Sequence, residues 1–210
     1  MKYNNAEIER LKHSTIKITK SKIIYIDPFK ISEEKKGDIV LVSHEHFDHC
    51  SVEDLQKVCA NDTIIVCPPD CQSKIMAGKV PCKQILLVRP GVNLNIEGIK
   101  IAAVHAYNTN KKFHPKENEW VGYIVEIEGT RIYHSGDTDV IQEMDSLKNI
   151  DVACLPVSGT YVMTAKEAAQ AATIIKPKIA IPMHYGVIIG TEADAQEFKM
   201  LWSGKTEILG

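Results

Sequence analysis

Ser43-His44-Glu45-His46-Phe47-Asp48-His49 is the stretch of this chain that decides its fold. It comes directly after Ile39-Val40-Leu41-Val42, a short continuous apolar run that is typical of a strand buried on both faces. The polar residues are therefore expected on the loop that leaves the carboxyl end of this strand. Loops in that position carry binding and catalytic groups more often than other loops do.

Four side chains of this loop are common metal ligands. Residues two apart at a strand end project to one side, so His44 and His46 are expected to point into one space. Asp48 and His49 follow round the turn and point into an adjacent space. Four ligands within six residues are more than one four-coordinate ion normally takes from a single loop, so the stretch predicts two neighbouring ions. The ordinary alternative is a solvated polar loop whose His residues cap turns.

Length and charge narrow the class of protein. The 210 residues suit one domain of α/β size, which we place at 1–210, with 44% hydrophobic and 25% charged residues. Lys and Arg number 25 against 27 Asp and Glu, a formal net charge of -2. This balance argues against nucleic acid as a partner and against a polybasic membrane anchor.

The compartment is expected to be the cytoplasm. No apolar run reaches the length that spans a membrane, and the first five residues lack the apolar segment of a signal peptide. The six cysteines are then expected to be reduced thiols. They are Cys50, Cys59, Cys67, Cys71, Cys82 and Cys154.

The hydrophobic pattern divides the chain into two strand-rich halves, each followed by helices. Strands are predicted over 14–19, 23–26, 39–42, 63–67, 84–88, 93–96, 99–104, 120–127, 131–133, 151–155 and 178–181. Helices are predicted over 52–58, with Ser51 as the N-cap, and over 70–77, 164–175 and 192–201. This order predicts an α+β fold, a four-layer αββα sandwich in which helices flank two mixed β-sheets.

Three further ligand-type residues each follow a predicted apolar strand. They are His105, Asp137 and His184. Alone, each has an ordinary explanation as a core imidazole, a turn cap or a surface residue. Their recurrence at strand carboxyl ends favours a shared site, because such ends converge on one crevice in layered α/β structures. Asp27, before Pro28, is either a turn residue or a carboxylate that orients a metal-binding imidazole.

The His-x-His-x-Asp-His loop, a middle His, an Asp and a final His occur here in the order of the metallo-β-lactamase superfamily, which the chain resembles. More narrowly, it resembles the short prokaryotic metal-dependent hydrolase branch, related to ascorbate-6-phosphate lactonase and N-acyl-phosphatidylethanolamine phospholipase D. The stretches 11–14, 26–29, 133–138 and 181–185 carry that resemblance. The branch usually has Gly where this chain has Lys12. The resemblance also places His13 near the active site.

The resemblance implies seven metal ligands. One ion would be held by His44, His46 and His105, the other by Asp48, His49 and His184, with Asp137 bridging both. His114 lies in the same segment as His105 and is the alternative ligand. Imidazole and carboxylate ligands suit zinc, and manganese and iron are also compatible.

The resemblance implies a small-molecule substrate, and the expected reaction is hydrolysis of a small ester, lactone or phosphodiester. Two divalent ions roughly 3.5–4 Å apart hold one water between them and lower its pKa, so that a metal-bridging hydroxide attacks a carbonyl or phosphorus centre. Asp48 is expected to orient that nucleophile as well as bind metal. His134 and Tyr161 are candidates for donating a proton to the leaving group.

Two other functions are compatible with such a site. One is a di-iron redox protein on the same fold, but the flavodiiron group has Glu at the position of His46 and a fused flavin domain. The other is a non-catalytic metal-binding or interaction module, which the filled ligand positions disfavour. A homo-oligomer is possible, and nothing in the periodicity decides it.

Overall fold

The computed structural model describes residues 1–32 and 35–210, which form two compact units. The first unit comprises Met1–Arg89 together with Gly210, and the second comprises Pro90–Leu209. Each unit contains one seven-stranded mixed sheet. The expectation that 1–210 is a single domain stays a prediction.

The first unit is a sheet whose seven strands lie side by side in chain order. The strands are β1 (Lys2–Tyr3), β2 (Ala6–Arg10), β3 (Ile16–Thr19), β4 (Ile23–Ile26), β5 (Ile39–Leu41), β6 (Ile64–Cys67) and β7 (Gln84–Leu87). Pairing is antiparallel from β1 to β4 and parallel from β4 to β7. The parallel strands need crossovers, and α1 (Val52–Val58) and α2 (Pro69–Ala77) provide two of them.

The segment around β5 explains how the polar loop is positioned. All three β5 residues are buried, as expected of a central parallel strand. The chain leaves β5 through residues 42–50 and enters α1, whose N-cap is Ser51. The Ser51 side chain accepts a hydrogen bond from the backbone N–H of Asp54 and so fixes the start of the helix. The predicted loop between a buried strand and a capped helix is confirmed.

The second unit is a sheet that runs in reverse chain order from β14 to β8. Its strands are β8 (Asn93–Ile96), β9 (Ile99–His105), β10 (Val121–Ile127), β11 (Thr130–His134), β12 (Val152–Pro156), β13 (Ile179–Met183) and β14 (Lys205–Thr206). Pairing is antiparallel from β8 to β11 and parallel from β11 to β14. Its helices are α3 (Ala165–Ile175) and α4 (Glu192–Leu201).

Helix α3 shows why the second half folds as its sequence predicts. Thr164 and Glu167 form a reciprocal capping box at its start. Its alanines pack with β12 and α4 into one core, because small side chains let the helix lie close to the sheet. The helix ends at Lys176, which adopts a left-handed conformation before Pro177.

Several elements were not predicted. They are β1, β2, β14 and the 3₁₀ turns Lys116–Asn118 and Gln142–Ser146. Two of the three strands have only two residues, which is too short for a periodic signal. Among the helices of the described part of the chain, none has the length and apolar character needed to cross a membrane.

Candidate metal centre

In the first unit, the loop after β5 brings its imidazoles together. The Nε2 atom of His44 lies 3.1 Å from the Nδ1 atom of His46. The ring centroids of His44 and His49 are 4.1 Å apart. The expected common direction of His44 and His46 at the end of β5 is therefore present in the structure.

A second group in the same unit contains His13, Asp48 and His49. Their ligand atoms lie within 4.8 Å of one another. The Asp48 Oδ2 atom is 3.1 Å from His13 Nε2 and 3.6 Å from His49 Nε2. His13 comes from the turn between β2 and β3 and is fully buried. His13 therefore lies beside the polar loop, and the expectation that it is near an active site stays a prediction.

One buried carboxylate orients two of these imidazoles. Asp27 Oδ2 accepts hydrogen bonds from His49 Nδ1 at 2.7 Å and from the Ser43 hydroxyl at 2.6 Å. Because Ser43 gives its only hydroxyl proton to Asp27, its oxygen accepts from His44 Nδ1 at 2.9 Å. Both imidazoles therefore carry their proton on Nδ1 and direct a lone pair through Nε2. Asp27 thus orients two imidazoles, and the prediction that these imidazoles bind metal is not tested by this contact.

In the second unit, two imidazoles converge on one carboxylate oxygen. Asp137 Oδ2 lies 3.2 Å from His114 Nε2 and 3.0 Å from His184 Nε2. All three residues are buried. Asp137 follows the end of β11 through a turn at Gly136, whose φ of 61° suits glycine. His184 directly follows β13, whereas His114 comes from the long loop between β9 and β10.

The hydrogen bonds of His114 fix which of its ring nitrogens faces Asp137. Asn108 Nδ2 donates to the Tyr161 carbonyl at 3.0 Å, which fixes the orientation of the amide. Its Oδ1 atom then accepts from the backbone N–H and the ring Nδ1 of His114, both at 3.0 Å. His114 thus directs its Nε2 lone pair at the Asp137 carboxylate. Two electron-rich atoms in such proximity are stabilised by a cation, which is either a proton or a metal ion.

Three of these residues have strained backbones. His13, Asp27 and His184 have φ angles of 50°, 49° and 60°, in the left-handed region that non-glycine residues rarely adopt. Asp27 and His184 directly follow β4 and β13, and His13 lies in the turn between β2 and β3. Such strain is concentrated at functional sites, where packing holds a side chain in one orientation.

The other sequence-predicted residues are His105, His134 and Tyr161. His105 ends β9, packs edge-on to Tyr107, and lines a separate cavity of the second unit. The buried His134 accepts a hydrogen bond from the Gly136 N–H on its Nδ1 atom at 3.2 Å. The ring of Tyr161 packs edge-on against the exposed Phe113. Within the described residues the structure groups His114, and not His105, with Asp137 and His184. Metal binding by any of them stays a prediction.

The donor chemistry fits divalent ions of the zinc class. Each unit offers buried imidazole nitrogens and a carboxylate, which are the usual ligands of zinc and neighbouring metals. The Nδ1 atoms of His44, His49, His114 and His184 face a hydroxyl, carboxylate or amide oxygen. This outer layer of hydrogen bonds typically orients metal-binding imidazoles.

Sequence reasoning missed the neutral members of that layer. Ser43, Asn108 and Ser158 hold His44, His114 and His184, respectively. Ser43 was identifiable only as the neighbour of His44. Asn108 and Ser158 lie 6 and 26 residues from the imidazoles they hold, and no local pattern marks them.

The thiol beside His49 belongs to the core. Cys50 is buried and contacts Cys71, which contacts Cys67 as well. The hydrogen bond from Cys71 lowers the pKa of Cys50, although burial opposes the shift. Contacts with Cys50 and Cys67, together with burial, raise the pKa of Cys71.

Comparison with known proteins identifies the family. The β-lactamase superfamily domain matches residues 7–184. The UPF0173 metal-dependent hydrolase of Thermococcus onnurineus is 32% identical over 97% of this chain and 95% of its own length. A crystal structure of a protein from Parabacteroides distasonis, called a metal-dependent hydrolase, has a TM-score of 0.85 to this chain. The two sequences are 34% identical, and the match covers 97% of this chain and 92% of the other.

The fold also matches more distant structures. The metallo-β-lactamase fold protein YhfI from Bacillus subtilis has a TM-score of 0.71 at 15% identity and covers 94% of this chain and 88% of its own. This chain belongs to the metallo-β-lactamase superfamily. The resemblance drawn from the motifs and the predicted fold class, two mixed sheets with flanking helices, are both confirmed.

Proposed function

We propose that this chain is a dinuclear metal-dependent hydrolase that cleaves a small ester, lactone or phosphodiester. Membership of the superfamily and relatives called metal-dependent hydrolases support the general class of reaction. The observation that carries the proposal is the pair of imidazoles directed at one Asp137 oxygen, with the His114 lone pair facing the carboxylate.

We assign the metal ligands of both units to two ions. His44, His46 and His114 are proposed for one ion; Asp48, His49 and His184 are proposed for the other, with Asp137 shared. His114 replaces His105 in this assignment because it is His114 that contacts Asp137. When bound, such ions lower the pKa of a coordinated water and offset negative charge on a reacting oxygen.

Neighbouring side chains of the protein hold each ligand imidazole in one tautomer. Asp27 keeps the proton of His49 on Nδ1, and through Ser43 it does the same for His44. Asn108 does this for His114 in the second unit. Fixing the tautomer leaves each Nε2 ready to bind metal without reorganisation. His13 contacts the Oδ2 atom of Asp48 and so limits the directions in which that carboxylate points.

Two proton-handling roles complete the proposal. Asp48 is the candidate for orienting the attacking nucleophile, because it lies in the polar loop with one oxygen close to two imidazoles. His134 is the candidate for protonating the leaving group. Its Nδ1 atom accepts from the Gly136 N–H, so the tautomer that fits carries the proton on Nε2.

The first test is the metal content per chain, by elemental mass spectrometry, on protein purified without added metal or chelator. We expect about two equivalents of zinc or manganese, the number for a two-metal site. The same protein is then assayed with p-nitrophenyl esters, lactones and bis-p-nitrophenyl phosphate. Turnover is expected with at least one of these classes.

The matched control is His46→Ala, which removes one proposed ligand from a half-buried loop position. We expect it to lose both metal and turnover while keeping the circular dichroism spectrum of the wild type. Turnover that survives this substitution would refute the hydrolase proposal. Two equivalents of iron without hydrolysis would favour the di-iron redox protein, and bound metal without turnover on any substrate would favour a binding module.

A further inference from the structure

The second unit contains a cavity whose lining does not include Asp137, His114 or His184. Its volume is about 280 Å³, and it lies between the first strands of the sheet and the 3₁₀ turn Gln142–Ser146. One wall is apolar and includes Ala102, Val104, Ile141, Met144 and Leu147. Its polar lining includes His105, Tyr133 and Glu143.

The Tyr133 hydroxyl is the most informative group in this cavity. The residue is only 1% exposed and lines the cavity. Among the residues that the structure describes, no group forms a hydrogen bond with this hydroxyl. Burial raises the pKa of Tyr133, so the hydroxyl keeps its proton and remains a donor. The hydroxyl is not among the fully buried polar atoms that lack a partner, so it is open to a water or a ligand in the cavity.

His105 adds a second polar group without a hydrogen bond in the described part of the chain. Its ring packs edge-on to Tyr107, with centroids 6.2 Å apart, and it lines the same cavity as Tyr133. A neutral imidazole offers one donor and one acceptor. Because it is not grouped with the proposed ligands of the second unit, His105 is available for another role.

The charge on Glu143 is already matched within the protein. Lys116 Nζ lies 2.8 Å from its Oε1 atom, and the Tyr107 hydroxyl donates to its Oε2 atom at 2.9 Å. Despite partial burial, these bonds lower the pKa of Glu143 to about 2, so the carboxylate stays ionised and paired. The cavity therefore presents no uncompensated charge to a ligand.

We propose that this cavity binds a small uncharged molecule with an apolar ring and one hydroxyl or carbonyl group, held by the Tyr133 hydroxyl and the His105 imidazole. The volume lies just below the roughly 300–1,000 Å³ of ordinary ligand pockets, which limits the ligand to about one ring with a short substituent. The apolar wall contacts the ring. The Tyr133 hydroxyl and the His105 imidazole form hydrogen bonds with the oxygen of the ligand.

The test uses four probes of similar size on the full chain: p-cresol, toluene, benzylamine and benzoate. Binding is followed by NMR titration, with the imidazole C–H signals of His105 as the site-specific readout. We expect saturable binding of p-cresol, about 2- to 10-fold tighter than toluene, as expected for one added hydrogen bond. Benzylamine and benzoate are expected to bind more weakly than p-cresol.

Three variants locate the interaction. Tyr133→Phe keeps the ring but removes the hydroxyl, so the preference for p-cresol over toluene should vanish. Ala102→Leu fills part of the cavity and should weaken both probes. Tyr25→Phe is the matched control, because it removes the hydroxyl of another buried tyrosine, in the first unit, and should leave binding unchanged.

The proposal is overturned if p-cresol does not bind saturably or if its binding leaves the His105 signals unmoved. It is also overturned if the charged probes bind as tightly as p-cresol, or if the preference for p-cresol survives in Tyr133→Phe. Should Tyr133→Phe fail to fold, Ala102→Leu and the His105 signals decide the question. None of these readouts depends on the proposed hydrolase activity.

Discussion

The two units build their ligand groups in different ways. In the first unit, His44, His46, Asp48 and His49 come from one short loop, and only His13 comes from elsewhere. In the second unit, His114, Asp137 and His184 come from three separate segments. A group that is local in sequence depends on one strand–loop–helix junction, whereas a dispersed group depends on the register of a whole sheet.

The supporting hydrogen bonds differ in the same sense. One buried carboxylate, Asp27, serves two imidazoles of the first unit, one of them through Ser43. In the second unit, two neutral groups, Asn108 and Ser158, each serve a single imidazole. Removing the supporting group should therefore affect two imidazoles in the first unit but only one imidazole in the second.

The largest effect is expected at Asp137, the point where the dispersed group converges. Asp137→Ala removes the oxygen that both His114 and His184 face, so we expect loss of bound metal and of hydrolysis. Metal per chain and turnover measure this. Asp151→Asn is the control, because Asp151 is a buried carboxylate at the start of β12 that pairs with Lys178. Full metal content in Asp137→Ala would show that the contact of His114 and His184 with Asp137 has no role in metal binding.

A somewhat smaller effect separates the two candidate histidines. We expect His114→Ala to lower metal content and turnover strongly, because it removes a ligand. His105→Ala should leave both within about twofold of wild type, as is usual for a residue outside the chemistry. The reverse result would restore His105 as the ligand and would contradict the grouping seen in the second unit.

This pair of histidines shows what the sequence reveals and what it does not. The first-unit group was predicted because its ligands follow one recognisable strand at short spacing, and β5 and α1 occur where the apolar run and Ser51 indicated. His105 was the expected middle ligand because it ends a strand. A position at the end of a strand does not by itself fix the direction of the side chain. The long loop after β9 brings His114 into contact with Asp137.

The fold was more predictable than the site. Alternating and continuous apolar runs report burial at each position, so helices α1 to α4 and most strands were recovered. The hydrogen bonds of Asn108 and Ser158 depend on contacts that chain folding creates between distant segments. Local spacing carries no information about such contacts.

The third prediction compares the supports directly. Asp27→Asn should weaken metal binding about 10- to 100-fold, the usual cost of losing an outer hydrogen bond partner, because two imidazoles lose their fixed tautomer. Ser158→Ala affects only His184, so its cost should be at the lower end of that range. Competition with a chromophoric chelator measures both. Equal losses of metal affinity in the two variants would contradict the expected difference between a group that holds two imidazoles and a group that holds one.

The smallest expected effect is on the pH dependence of stability, and it concerns one hydrogen-bonded carboxylate in each unit. In the first unit, burial raises the pKa of Asp54, but hydrogen bonds from Ser51, Lys57 and two backbone N–H groups outweigh it and the pKa is lowered. In the second unit, the bonds from Lys116 and Tyr107 outweigh burial and lower the pKa of Glu143 to about 2. Both groups therefore stabilise the folded protein in the ionised form.

The sign of the pH effect follows from these lowered values. A carboxylate whose folded pKa lies below its unfolded value contributes stability that is present above the unfolded pKa and is lost as pH falls through the folded pKa. For Glu143 that pH window runs from 4.5 down to about 2.

Glu143→Gln should lower the free energy of unfolding at pH 6 by about 1 kcal/mol or less, because the group is partly exposed, and should make no difference near pH 2. Asp54→Asn should cost more, about 1–3 kcal/mol, because Asp54 is almost fully buried. Urea unfolding of metal-free protein at both pH values measures these differences without the proton release that accompanies metal binding. A loss for Glu143→Gln that is as large as that for Asp54→Asn, or that persists near pH 2, would mean that packing rather than charge holds the segment around Glu143.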